Sequence, residues 1–377
     1  VSSTITILLS FRNAAGTLDA AIASIVAQTF SDWTLLLIDN ASEDEGPSIA
    51  QAWSERERRI HLITEPQVGI AHALNTGLQH ATAPLIARMD ADDVCHPERI
   101  ARQVAFLNEH PEIGVLGTRT SFSSTVEKSS GMAWYVGWQN AILSPHEHYV
   151  KRFVDAPLAH PTVMFRRELI AQHGGYSTEP LPEDHELWLR WMDAGVRFAK
   201  LPEELLTWHD HPHRLSRTHS NYSVDAFFRT KAKWMAHWMQ RTLNGRPVII
   251  AGTSGLCQAR TALLEAEGIV VSAYTDVRHR EVPGYAFIPH GALPPAGEAF
   301  IVSFISQRGT GDRIAAFLSS RGLVEGVDFI LSALWASCYA RCVTRVTAAL
   351  ALAQKLCRPT PPSCADRSSP YFCFRSH

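Results

Sequence analysis

Through residue 120 the chain alternates short apolar runs with stretches of helical periodicity. The runs are Ile5–Leu9, Thr34–Ile38, Ile60–Ile63, Leu85–Met89 and Ile113–Leu116. Between them Leu18, Ile22, Ile25 and Val26, then Ile70, Ala73, Leu74 and Leu78, then Ile100, Val104 and Leu107 recur at spacings of three and four, which predicts three helices. Strands that alternate with helices form βαβ units feeding a largely parallel, open α/β sheet. Ligands of such sheets bind beyond the carboxyl ends of the strands. The polar groups that follow the runs, Ser10-Phe11-Arg12-Asn13, Asp39-Asn40-Ala41-Ser42 and Asp90-Ala91-Asp92, are therefore expected to converge on one edge.

The densest chemistry on that edge is Asp90-Ala91-Asp92-Asp93, directly after Leu85–Met89 and directly before His96-Pro97-Glu98-Arg99. A hard divalent cation takes carboxylate oxygens, and a magnesium-type ion fills the rest of its shell with water and substrate phosphate. The cluster thus suggests a metal and phosphate site. Asp92 and Asp93 would equally serve as caps of a helix starting near Pro97, since Asp suits N-caps and Pro the first helical position.

At 377 residues the chain exceeds one ordinary core, and its sequence divides accordingly. Residues 121–150, with Ser121–Ser124, Gly131, Gly137, Trp134, Tyr135 and Trp138, read as an irregular, mobile substrate-side loop. A strand is expected over Pro157–Phe165 and a helix around Pro182–Ala194, which opens on Glu183 and Asp184; acids in a first turn are ordinary dipole partners. His209, His211, His213, Arg214 and Arg217 crowd the stretch from Trp208 to Arg217, which suits a solvated turn or a phosphate and metal clamp. A helix over Tyr222–Thr242 then bridges to a second α/β pattern: Val248–Ala251, the turn Gly252-Thr253-Ser254-Gly255, a helix to about Glu267, Ile269–Tyr274 with Asp276, Ala299–Phe304 and a helix Arg313–Arg321. That order resembles a Rossmann turn without its full glycine fingerprint. The expected organisation is a domain over 1–217, a helical linker over 218–245, a small Rossmann-like unit over 246–335 and a basic tail over 336–377.

The tail holds Cys338, Cys342, Cys357, Cys364 and Cys373 without paired zinc spacing and turns Pro- and Ser-rich, so it is expected to be disordered and to bind no metal. Its excess of arginine would allow weak contact with a membrane surface. Only Cys95 and Cys257 precede it, which argues for a reducing compartment. The formal charge of −2 gives no electrostatic reason to expect nucleic acid. With no basic leader and no apolar stretch of ~18 residues, a cytoplasmic protein is expected, at most peripheral at the inner membrane face.

Taken together, Leu8-Leu9-Ser10-Phe11-Arg12-Asn13, Ala27-Gln28-Thr29-Phe30, Leu37-Ile38-Asp39-Asn40-Ala41-Ser42-Glu43-Asp44, Gly69-Ile70-Ala71-His72-Ala73-Leu74-Asn75 and Arg88–Asp93 resemble the family 2 glycosyltransferases of the GT-A fold, over roughly residues 1–217. The resemblance implies an inverting transferase that moves a sugar from a nucleotide-diphospho-sugar, expected to be a UDP-sugar, to a glycan, lipid-linked or other acceptor hydroxyl in cell-surface glycan synthesis. It implies that Asp39 binds the base, that Ser10, Arg12 and Asn13 wall base and ribose, that Asp90 holds ribose or water, and that Asp92 with His211 holds Mn²⁺ or Mg²⁺. Asp184 would be the catalytic base, with Glu183 and Arg214 as candidate diphosphate or substrate contacts. Asn40 and Ala41 depart from the family's usual Asp-Gly. Asp93 is left to capping.

Two other classes compete with that reading. One is a sugar-nucleotide-binding or regulatory protein without transfer activity. The other is a nicotinamide-dependent oxidoreductase built on Gly252–Gly255, which lacks any catalytic Tyr-x-x-x-Lys pattern after the turn.

Overall fold

Along the first strand alternate side chains enter two different cores. β1 (Ile5–Phe11) sits between β2 (Trp33–Asp39) and β4 (Leu85–Asp90), with β3 (Ile60–Thr64) outside β2, and all four run parallel. Ile5, Ile7, Leu9 and Phe11 join Trp33, Leu35, Leu37, Leu85, Ala87 and Met89 against α1 (Leu18–Val26) on one face. Leu8, Leu36, Ile38 and Ile86 meet Leu74 and Leu78 of α3 (Ile70–His80) on the other, while α2 (Gly46–Arg56) flanks β2 and β3. A parallel sheet covered on both faces requires such near-continuous apolar strands, each buried Leu or Ile stabilising by about 1.5–3 kcal/mol.

The sheet continues through β5 (Val94–Cys95), β6 (Ile113–Ser124), β7 (Met164–Arg166) and β8 (Arg197–Asp210), in the order β3-β2-β1-β4-β7-β6-β8-β5. β7 is antiparallel to β4 and β6, and β5 to β8, so the sheet is mixed. Winding outward from β1 to β3 and returning to β4 places the reversal of strand order between β1 and β4. Ser10 and Asp90 are register partners across that crevice, and Phe11 pairs with Asp39. The three polar strand ends therefore meet, as a doubly wound sheet demands.

Three sequence expectations change here. The chain over 121–150 is no irregular loop: β6 runs to Ser124, and α5 (Ser130–Ala141) and α6 (Pro145–Lys151) follow α4 (Arg99–Glu109) in the order of helices. α5 lacks a clean apolar stripe because Gly131, Gly137 and three aromatics interrupt it. Tertiary bonds hold it instead, with Tyr135 Oη and Gln139 Nε2 both donating to the Ala156 carbonyl at 3.0 Å. α6 carries a capping box between Ser144 and Glu147, a signal present in Ser144-Pro145-His146-Glu147.

Over 157–165 only Met164 and Phe165 join a strand; His160–Thr162 is a 3₁₀ turn, consistent with Pro157 and Pro161 being poor central-strand residues. Neither Asp92 nor Asp93 caps a helix. α4 begins at Arg99 after Glu98, and the Ile100 N–H is met by Gln28 Oε1 (3.0 Å) from the end of α1. Gln28 Nε2 also donates to the His96 carbonyl (2.8 Å), so the Gln28-Thr29 pair pins the chain that leaves the acidic cluster.

α7 (Glu168–His173) and α8 (Glu183–Asp193) complete the layer on the β1–β4 sheet, where Leu187, Trp188 and Trp191 enter the second core. After α9 (Leu215–Thr218), the 19-residue α10 (Val224–Thr242) leads to a parallel sheet of β9 (Val248–Ala251), β10 (Val271–Thr275), β11 (Ala286–Phe287), β12 (Phe300–Ser303) and β13 (Phe329–Leu331), ordered β11-β10-β9-β12-β13. α11 (Gly255–Ala266) and α12 (Thr310–Ser320) flank it. Gly252 has φ 109°, and a Cβ there would lie 2.7 Å from Cys257 Sγ, so the turn after β9 admits no side chain. Asp276 closes the same turn by accepting from Thr253 N and Oγ1 at 2.9 and 2.8 Å. Its contact is with the turn, where the Rossmann comparison would place a ribose.

α10 packs on both α8 and α11, and Phe153 and Leu189 share one core with Val248, Ile250 and Phe300. The computed structural model describes residues 3–126, 129–306 and 309–332. The expected tail over 336–377, with its five cysteines, lies outside the described residues. Among the described residues no helix is long and apolar enough to cross a membrane.

Candidate active site

Beyond β1 and β2 the chain makes a tight set of loop bonds. Asp39, buried, accepts from the Ser42 N–H (3.0 Å), and Asn13 Oδ1 accepts from the Glu43 N–H (2.8 Å) while its own N–H donates to Ser42 Oγ (3.1 Å). Arg12 is exposed and Ser10 half-buried. Asn40 has a structural reason: Nδ2 donates to the carbonyls of Glu65 (3.1 Å) and Gln67 (2.8 Å), and Oδ1 accepts from the Gly69 N–H (2.8 Å). A carboxylate could make only the last of these.

Ala41 sits at φ 55°, a left-handed conformation that costs an L-residue roughly 1–2 kcal/mol. Ala41→Gly is therefore expected to stabilise the fold by about 0.5–1 kcal/mol, after glycine's greater loss of chain entropy is subtracted. The urea unfolding midpoint checks it, and an unchanged or lower midpoint would refute the strain argument.

The acidic cluster divides its work among three different environments. Asp90 pairs with Arg88, a guanidinium buried inside β4. Asp92 is partly exposed, and His211, which follows β8, lies with Nε2 2.9 Å from its Oδ2. Asp93 is buried; its Oδ1 accepts from the His209 N–H (2.8 Å), and its Oδ2 has no hydrogen-bond partner. Burial raises the Asp90 carboxyl, Arg88 opposing, and pushes Asp93 well up, with Asp90 and Asp92 adding repulsion.

Carboxylate oxygens of the three acids lie within 4.8 Å of one another. Oxygen donors, a neighbouring imidazole, an orphaned buried oxygen and uncompensated negative charge are what a hard divalent cation would satisfy. The donor set therefore fits Mn²⁺ or Mg²⁺.

Across the same cavity stands the first turn of α8. Asp90, Asp92, Glu183, Asp184 and Arg214 all line this cavity, whose walls include Ile70, Leu158, Trp208 and Phe227. Burial pushes the Asp184 carboxyl up to about 6, against a hydrogen bond from the His185 N–H (2.7 Å). Glu183, also buried, is pushed up to about 8 by desolvation and by Asp184's charge, while Tyr222 Oη donates to its Oε2 at 2.6 Å. His160 lines the cavity with Nε2 2.8 Å from Tyr176 Oη, and burial and then Arg88 hold it well below the usual imidazole range. Arg214 stacks over Trp208, 4.4 Å from the ring centre.

Of the residues singled out from sequence, the fold gathers five around this cavity and adds His211 through Asp92. Ser10, Arg12, Asn13 and Asp39 stand beside it at the ends of β1 and β2 rather than on its wall. Sequence reasoning missed Arg88, His160 and Tyr222. A charge inside the apolar run Leu85–Met89 was a usable signal for Arg88; nothing marked Tyr222.

Residues 6–174 match the family model for glycosyl transferase family 2. Over 229 residues the chain is 31% identical to the putative glycosyltransferase EpsE of Bacillus subtilis (strain 168), covering 59% of this chain and 78% of that protein. It is 28% identical over 190 residues to the amylovoran biosynthesis glycosyltransferase AmsE of Erwinia amylovora, covering 50% and 69%. Similarity also extends to an Escherichia coli protein named as a UDP-Gal:alpha-D-GlcNAc-diphosphoundecaprenol beta-1,3-galactosyltransferase, 27% identical over 190 residues, or 50% of this chain and 67% of that one. Among solved structures, S. aureus TarS 1–349 in complex with UDP-GlcNAc superimposes with a TM-score of 0.51 over 70% of this chain and 71% of its own, at 13% identity, and so shares the fold.

Proposed function

The chain belongs to glycosyl transferase family 2, and on that premise we propose that it moves a sugar from a nucleoside diphosphate to an acceptor hydroxyl with inversion at the anomeric carbon, Asp184 acting as base. One observation carries this reading: a single cavity is lined by Asp90, Asp92 and Asp184 together. Leaving-group charge would develop beside Asp90 and Asp92, and the acceptor's proton would leave to Asp184.

An acceptor hydroxyl ionises far above neutral pH, so a carboxylate within hydrogen-bond reach must take its proton as it attacks. Asp184 is half-buried on the cavity and its carboxyl is raised to about 6 by desolvation, which suits it to that task. A single base and a single displacement need no protein nucleophile, and the result is inversion. Asp92 and His211 would hold Mn²⁺ or Mg²⁺, which supplies Lewis-acid stabilisation of the departing diphosphate. Arg88 pairs with Asp90 beside this position, opposing the burial that raises its carboxyl, and Arg214 brings a second positive charge to the cavity. Asp39 would accept from the nucleotide base, with Ser10, Arg12 and Asn13 around base and ribose; the register that sets Ser10 between Ile38 and Asp90 supports this placement.

The relatives' names point to a UDP-sugar donor and to polysaccharide or lipid-linked glycan assembly. A sensor without transfer activity would leave the buried Glu183–Asp184 pair without a purpose. Screening UDP-, GDP- and dTDP-sugars with Mn²⁺ by thermal unfolding tests the donor assignment, because a ligand at 100 times its dissociation constant stabilises by about 2.7 kcal/mol. The largest shift is expected with a UDP-sugar, and no shift with any of the three would contradict the reading.

A further inference from the structure

The cavity is completed by a part of the chain that lies outside the family-matched region. The family-model match ends at residue 174, yet Leu215, Ser216, Tyr222 and Phe227 all line the cavity. Tyr222 closes a 3₁₀ turn, Ser220–Tyr222, and Ser223 then caps α10 by accepting from the Ala226 N–H (3.3 Å). The tyrosine is thus fixed at the point where the connector becomes the helix that carries the second sheet.

Its ring is nine-tenths buried, and its hydroxyl donates to Glu183 Oε2 at 2.6 Å across 39 residues of sequence. The same α10 docks against the catalytic half one and two turns further on. Phe227 enters the cavity wall, and Lys231, fully buried, donates from Nζ to the Val154 carbonyl (3.2 Å). Phe227 and Lys231 are four apart and so share a helix face. A buried carboxyl beside a second, half-buried carboxyl has little reason to keep one orientation unless a donor fixes it.

We infer that Tyr222 is a positioning residue: its hydroxyl holds Glu183 in place at the start of α8, and through Glu183 it holds Asp184 at the angle needed to meet the acceptor. The connector and the start of α10 are then part of the transferase site. This rests on the reading of Asp184 as base.

The test uses the full chain in three variants, Tyr222→Phe, Glu183→Ala and the double, compared with the parent protein whose Asp184 is intact. Tyr222→Phe keeps the ring in the wall and removes only the donor. It is expected to lower kcat about ten- to hundredfold, with donor KM within about twofold, because misplacing a catalytic group acts on the chemical step. The double variant is expected to be no slower than Glu183→Ala, since two residues acting through one contact are not additive.

An unchanged kcat in Tyr222→Phe, a loss confined to donor KM, or losses that multiply in the double variant would each overturn the inference. Should Tyr222→Phe fail to fold by thermal unfolding, Glu183→Ala decides alone, and an unchanged kcat there overturns it. Failure of the base assignment has a separate signature, near-normal turnover in Asp184→Asn, which these variants do not share.

Discussion

Asp184→Asn is expected to lower kcat by about 10²–10⁴-fold while the nucleotide-sugar still binds with near-parent affinity. The amide keeps the size and the hydrogen bond from the His185 N–H (2.7 Å), so the first turn of α8 stays in place. What it cannot do is take a proton. Asp90 and Asp92, the acids assigned to the donor side, keep their own partners in Arg88 and His211. Steady-state kinetics and calorimetric donor binding on the same preparation read the two effects apart. The parent's pH profile follows from the same group. Burial raises the Asp184 carboxyl to about 6; below that it is protonated and inactive as a base, so kcat is expected to rise with pH through about 6 and level off above. Turnover by Asp184→Asn near the parent's rate would remove the base assignment.

The second large effect is at the acidic cluster. Asp92→Ala is expected to weaken metal-dependent donor binding by at least about 100-fold, the upper end of what losing even an indirect partner of a metal ligand costs. Neither neighbour can substitute. Asp90 is committed to Arg88, and Asp93 is buried with one oxygen accepting from the His209 N–H. The alanine also strips His211 of its 2.9 Å partner. In the parent, Mn²⁺ with donor should raise the unfolding temperature and EDTA should abolish the increase; the variant should show neither change. A metal-dependent shift of parent size in Asp92→Ala would place the cation elsewhere.

The strands were legible because a parallel sheet buried on both faces leaves an apolar run in the sequence, as β1, β2 and β4 do. Once those runs are strands, the carboxyl-end rule alone brings Ser10, Asp39 and Asp90 together, and the register confirms that neighbourhood. Asp184 was legible as an acid at a helix start, though nothing local says that the helix faces the β4 end.

What was hidden depends on contacts between distant segments. α5 carries glycines and aromatics that blur its period, and its order comes from bonds to Ala156. Asp92 and Asp93 looked like caps because the sequence cannot show that Gln28, over 70 residues earlier, already satisfies the helix start. The Tyr222–Glu183 bond joins a connector to a catalytic helix, and no pattern in either segment announces the other.

The central claim is a single displacement in one cavity, with leaving-group charge held beside Asp90 and Asp92 and the proton taken by Asp184. It is tested most directly by proton NMR of the anomeric centre as the sugar leaves the donor that stabilises the protein most, with the first-formed product observed before it mutarotates. The account predicts that the configuration of that product, whether on an acceptor or released to water, is opposite to the donor's; retention of configuration would contradict it.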